Sequence, residues 1–133
     1  MRLARLIGVI GSMAAVLSVG CGDSTSPNPI VGTWNLSTLN GLPLPYVQSS
    51  TVVLNSDGIA ISGDGTFVRR YSRRTGGPSS PSDESLVESG TYTVAGSAVT
   101  FTRTSELTRV RSGTFDGQTI TLTGDGLYAY TRQ

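Results

Sequence analysis

The chain has 133 residues, of which 14% are charged and 37% hydrophobic, and its formal net charge is +1. It contains no His and no Lys, and its one Cys is Cys21. The imidazole base, the amine nucleophile and the common zinc ligands are therefore missing together, so no catalytic residues, no metal site and no cofactor are expected. Two of the ten Arg are Arg2 and Arg5; beyond them eight Arg face nine acidic residues, which is not the basic surplus of a nucleic-acid partner.

Residues 1–20 have a basic start at Arg2 and Arg5, an apolar run from Leu6 to Leu17 and a small-residue ending, the three parts of an export signal. The run is short for a membrane span of about 20 residues. Its end, Leu17-Ser18-Val19-Gly20-Cys21, resembles the lipobox of bacterial lipoproteins. The resemblance implies cleavage before Cys21, acyl chains on that Cys, and a membrane partner reached through the lipid anchor. Gly22, not Asp, follows the Cys, which favours the outer membrane, facing the periplasm, over the inner one. Residues 21–29 then read as the lipidated Cys and a flexible tether. Gly22 to Pro29 offers no apolar side chain to bury, and as a coil it reaches on the order of 15 Å.

From Ile30 onward the chain is punctuated by Asn40-Gly41, Asp57-Gly58, Asp64-Gly65, Asp116-Gly117 and Asp125-Gly126, dipeptides that tolerate positive φ in tight hairpins. Between them the expected strands are Val31 to Thr38, Tyr46 to Asn55, Ile59 to Ser62, Thr66 to Ser72, Leu86 to Val94, Ala98 to Thr104, Leu107 to Phe115, Thr119 to Thr123 and Leu127 to Arg132. Thr119-Ile120-Thr121-Leu122-Thr123 shows the alternation most clearly, Thr toward solvent and the apolar partner inward. Asn40 to Pro45 reads as a loop or bent strand entry because of its prolines. Ser72 to Glu84, with Gly76, Gly77, Pro78 and Pro81, reads as one long loop, disordered or functional. The expected fold is all-β: a small antiparallel up-and-down β-barrel of about eight strands over residues 30–133, monomeric, after the signal and tether.

Gly32-Thr33-Trp34, at the head of strands in hairpin order, resembles the G-x-W motif that opens lipocalins and related small barrels. That resemblance implies that Trp34 closes one end of the barrel and that an Arg on the last strand, here Arg132, lies across its ring. It also implies a cavity for a small apolar ligand, with Trp34, Tyr92, Phe101 and Ile120 as candidate walls. The alternative is a filled interior, as in small barrels that inhibit secreted proteases, with rim loops or tether meeting an envelope protein.

If Phe67 and Tyr71 point inward, Arg69 shares their face, which places a charge at the barrel mouth or beside an acid such as Glu106; a solvated surface or rim is the default expectation. A carboxylate- or phosphate-bearing ligand could use such an Arg. Asn55, Asp57 and Asp64 lie close together, yet no acid completes a twelve-residue calcium loop, so turn chemistry is expected there. Asp83, Glu84 and Glu88 have nothing nearby in sequence to raise one pKa above the others, and no acid/base pair is assigned to them.

Overall fold

The structure, a computed structural model, describes residues 28–104 and 109–133. The signal, Cys21, most of the tether and Glu106 fall outside the described residues. Ten strands follow in chain order: β1 (Gly32–Leu39), β2 (Leu42–Pro43), β3 (Tyr46–Ser49), β4 (Val52–Ile61), β5 (Thr66–Thr75), β6 (Ser82–Ala95), β7 (Ala98–Arg103), β8 (Val110–Phe115), β9 (Thr119–Thr123) and β10 (Leu127–Arg132). From β4 to β10 each strand pairs antiparallel with the next, β10 pairs with β1, and β1 returns to β4 through Gly32–Asn35 against Gly58–Ile61. Eight strands thus close a barrel. β2 and β3 stand outside the ring, paired with the far part of β1 and the near part of β4.

Local chemistry explains most of the turns. Asn40 and Gly41 take φ of 53° and 78° between β1 and β2. The Asp64 carboxylate accepts from the Thr66 amide at 3.0 Å, and that of Asp116 from the Thr119 amide at 2.7 Å, the short-range bonds for which Asp is favoured in turns.

Three expectations are corrected. Tyr46 to Asn55 is not one strand: the chain reverses after Ser49, and β3 pairs antiparallel with the start of β4. Asp57-Gly58 is no turn: both residues lie within β4, which runs unbroken from Val52 to Ile61. Ser72 to Glu84 is no long loop either, because β5 continues to Thr75 and β6 starts at Ser82. Ion pairs hold this extension of the hairpin, Arg73 to Glu84 and Arg74 to Asp83, each at 2.9 Å. Both pairs stand directly opposite in the strand register, where opposite charges support pairing.

Bulges decide which side chains face inward. Along β4 the register against β5 slips between Leu54 and Ser56, leaving Asn55 as the extra residue. Leu54 is buried before the bulge, and Asp57, Ile59 and Ile61 are buried after it. In β1 the slip lies between Leu36 and Thr38, and the buried set passes from Trp34 and Leu36 to Leu39. A bulge inserts one residue and so inverts the inward parity of everything beyond it.

The apolar core fills the end where β1 begins and β10 ends. Phe67 meets Phe101 edge to face at 5.0 Å, and Trp34 meets Phe115 in the same way at 5.6 Å. Ile30 is fully buried, and its carbonyl accepts the Trp34 indole N–H at 2.8 Å. Arg132 lies over the outer face of Trp34, its Cζ 4.6 Å from the ring centroid, and donates to the carbonyls of Val31 (3.1 Å) and Pro29. Gly32 makes this possible: its φ is +143°, and a Cβ there would stand 2.9 Å from Arg132 Nη1. The glycine of the Gly32-x-Trp34 motif is the space in which the arginine lies.

Gly32→Ala should therefore displace Arg132 and also strain the backbone, at a cost of roughly 1–3 kcal/mol. Arg132→Ala alone should cost roughly 0.5–1 kcal/mol, against roughly 3–5 kcal/mol for Trp34→Ala. In urea denaturation the Gly32→Ala penalty should shrink once Arg132 is already Ala; equal penalties in both backgrounds would dissociate the glycine from the arginine.

Candidate functional site

The half of the barrel toward the β5–β6 hairpin has a different interior. Inward positions of β4, β5, β6, β7 and β8 there carry Asp57, Arg69, Glu88, Arg103 and Arg111, with Tyr128 and Tyr130 from β10. Arg69 donates from Nε to Asp57 Oδ1 at 2.9 Å and from Nη2 to Oδ2 at 2.5 Å, and Tyr130 Oη donates to the same Oδ2 at 3.0 Å. The third guanidinium nitrogen, Nη1, donates to Glu88 Oε2 at 3.1 Å. Arg103 Nη1 donates to the other oxygen of Glu88 at 2.5 Å. The Asp57 side chain has no exposed surface, and that of Arg69 is 8% exposed. Such burial of charge is tolerated only where partners occupy the lone pairs and N–H groups, and a two-point guanidinium fork does this best.

Aromatic rings complete the layer. Arg69 Cζ lies 4.5 Å from the Tyr71 ring centroid, and Arg111 Cζ lies 4.6 Å from that of Tyr128. Tyr128 Oη donates to Asp125 at 3.0 Å, and Arg111 Nη2 reaches the same oxygen at 3.5 Å. Burial, with Asp57 beside it, pushes the Tyr130 hydroxyl far above its ordinary range, so it stays a donor. Burial also pushes the Glu88 carboxyl up, but Arg69 and Arg103 more than offset this, and its pKa lies below the usual value.

Two donors in this layer are buried without an acceptor among the described residues, Arg103 Nε and Arg111 Nη1. Leaving a charged donor unsatisfied typically costs about 1–3 kcal/mol or more. Both side chains border a cavity of about 30 Å³ between the charged layer and an apolar floor of Ile59, Phe67, Phe101 and Leu122. On the outer side of the layer a second space of about 120 Å³ lies among Tyr71, Arg73, Arg109 and Tyr128. A third hollow, about 430 Å³, is a groove bordered by Asn35, Gly58, Ala60 and Arg70, beside the point where β1 and β4 part.

Trp34, Tyr92, Phe101 and Ile120, the expected walls of an apolar cavity, are all buried. Only Phe101 borders the 30 Å³ space; the other three are packed into the closed end. The physical reason is bulk: an eight-stranded interior can be filled or can hold one small ligand, and here the rings of Trp34, Phe67, Phe101 and Phe115 pack against one another across it. The acids are not gathered into a pair either. Asp83 is held by Arg74, Glu84 by Arg73, and Glu88 by Arg69 and Arg103. Among the described residues no three Asp, Glu, Cys or His converge as metal ligands.

Asp57, which its Asp-Gly dipeptide assigns to a turn, is the member of this charged layer that the sequence does not single out. A signal was present in the change of parity from Leu54 to Ile59 and Ile61, which requires a bulge and then places Asp57 inward. Arg69 is buried and not at a solvated rim, the default expectation for it, and its partners are Asp57 and Glu88, while Glu106 lies outside the described residues.

A closed eight-stranded antiparallel barrel, plugged by a Trp-Arg pair at one end and open at the other, defines the class of small calyx-shaped proteins. The lipocalin-like domain family model matches residues 30–129, and the chain belongs to that family. No curated protein and no solved structure was found to match it.

Because Glu88 titrates lower in the folded chain than unfolded, its contribution to stability is present above the unfolded carboxyl value of about 4.3. That contribution disappears as pH falls through the lower folded value. Glu88→Gln should cost roughly 1–2 kcal/mol at pH 7, less than a fully buried pair because Glu88 is part solvated. By chemical denaturation the difference from wild type should narrow as the pH falls from 5 toward 3. A difference independent of pH would show that the carboxylate charge contributes nothing.

Proposed function

We propose that this chain is a cell-envelope lipoprotein, cut before Cys21 and acylated there, whose lipocalin-like barrel is a binding module that meets its ligand at the open end. One observation carries the ligand half of this reading. Inside the barrel the apolar end is filled, whereas enclosed space and, among the described residues, donors without an acceptor both lie at the arginine and tyrosine layer. Pockets for drug-sized apolar ligands run to about 300–1,000 Å³, and a 30 Å³ space admits no acyl chain. The ligand is small and polar at one end at least.

The geometry of residues 28–31 bears on how an anchored barrel would stand on the membrane. The Asn28 carbonyl accepts from the Val31 amide at 2.9 Å, and Arg132 binds the carbonyls of Pro29 and Val31. The chain therefore enters the barrel at its closed end, and a tether from Cys21 leaves the open end turned from the bilayer. Two or more acyl chains, at about 0.8 kcal/mol per buried CH₂, make such an anchor stable. The outer membrane, periplasmic face, is the favoured location, and the module is read as a monomer without cofactor or enzymatic activity.

A second reading, a protein-interaction barrel, is favoured by the same filled core together with the exposed Leu42 and Val47 on β2 and β3. It requires a partner whose capture is lost in a Leu42→Ser, Val47→Ser double variant.

Mass spectrometry of the membrane fraction should find Cys21 as the acylated N-terminus, and Cys21→Ser should release the protein into the soluble fraction. Unmodified Cys21 in a soluble species would sink the anchor. Native mass spectrometry of detergent-free protein should show no long-chain lipid in the barrel; a retained one would restore the apolar-cavity reading in place of this one.

A further inference from the structure

We propose that the enclosed space beneath the arginine layer is a site for the carboxylate of a compact organic acid, held by Arg103 and Arg111. The inference rests on the reading that ligand enters at the open end, and it adds the chemistry of that ligand. Arg103 Nε and Arg111 Nη1 are buried donors without an acceptor among the described residues, and both side chains border the same cavity of about 30 Å³. They come from neighbouring strands, β7 and β8. A group with two acceptor oxygens can take both donors at once.

Charge and size point the same way. Four arginines border the cavity, Arg69, Arg103, Arg109 and Arg111, with Glu88 as the one carboxylate among them. Asp57 binds Arg69 from behind, and Asp125 approaches Arg111 at 3.5 Å. Four positive charges against three negative leave one in excess among the described residues, which a monoanion balances. The volume equals that of about two waters, the room needed by the two oxygens of one carboxylate. A phosphate presents oxygen on every side, and one of these would face the apolar floor of Phe101 and Leu122 without a donor. A carboxylate on a short aliphatic stub sets carbon against that floor.

The test uses the full chain carrying nitrogen-15 in its arginines, with the Nε–H resonances followed at constant ionic strength. The probes are sodium acetate, sodium butyrate, methyl acetate and inorganic phosphate. Acetate and butyrate should shift the Arg103 Nε–H signal saturably and bind at least tenfold more tightly than phosphate, and methyl acetate should cause no shift. Arg111→Gln should weaken acetate at least tenfold, whereas Arg74→Gln, on the exposed hairpin, should leave it unchanged. If Arg111→Gln does not fold, Arg109→Gln at the exposed rim should still weaken acetate at least twofold. The proposal is overturned if no probe saturates, which leaves ordered water as the occupant, or if phosphate or the neutral ester binds as tightly as acetate. Binding seen only in Glu106→Gln overturns it too, since the chain's own carboxylate would then be the occupant. An uncharged ligand retained at the open end in native mass spectrometry would sink the carboxylate while leaving the binding-module reading intact.

Discussion

The bond between Asp57 and Arg69 is the constraint on which the arrangement of the barrel depends. It joins β4 to β5 directly, and through Tyr130 it reaches β10, on the far side of β1. That span matters because β1 and β4 pair only over Gly32–Asn35 and Gly58–Ile61 before they part toward β2 and β3. Asp57 stands next to the last of these pairs. Where the backbone ladder between first and fourth strands runs out, a side-chain bond across the interior takes over the closure. The two devices are complementary: the Trp34–Arg132 stack draws the seam together at the closed end, and the Asp57–Tyr130 bond does so halfway along.

The same ion pair separates the interior into two media. Below it lie Ile59, Phe67, Phe101 and Leu122, which leave a space of only about 30 Å³ against the charged layer; above it lie Tyr71, Tyr128 and further arginines. An ion pair at such a boundary is not a cheap source of stability, since desolvation offsets much of the Coulomb attraction. What it contributes is position. Arg69 is held by Asp57, and Glu88 is held by Arg69 and Arg103, so the remaining donors of Arg103 and Arg111 face a space whose walls are already fixed. A binding site made from long arginine side chains needs such restraint, because each carries about 2 kcal/mol of rotamer entropy.

Much of the strand order was legible because the chain marks it twice, by alternation within strands such as Thr119–Thr123 and by Gly-containing turns between them. The Trp34 and Arg132 contact was legible for a different reason, since a closed barrel must bring its first and last strands together. Three things were hidden. Bulges at Ser37 and Asn55 invert the inward parity, and a strict two-residue period carries no mark of where that happens beyond the mismatch itself. Asp57-Gly58 has the composition of a hairpin turn, yet its aspartate is drawn inward by an arginine twelve residues away, a tertiary partner that overrides local preference. The segment from Ser72 to Glu84 looks like a loop by its glycines and prolines, but four charges in facing register extend the hairpin through it. The candidate cavity residues were inward as expected; alternation places a side chain inside without telling whether the inside is full.

The central claim is that Asp57 and Arg69 act as one unit in closing the barrel, and a double-mutant cycle in urea denaturation measures this directly. Asp57→Leu and Arg69→Met should each cost roughly 3–5 kcal/mol, because either leaves a charge buried without its partner. The double variant, with no charge left over, should be more stable than either single one, which requires a coupling of at least a few kcal/mol. Additive losses, with the double variant the least stable of the three, would contradict the account and return Asp57 to an incidental place in the fourth strand.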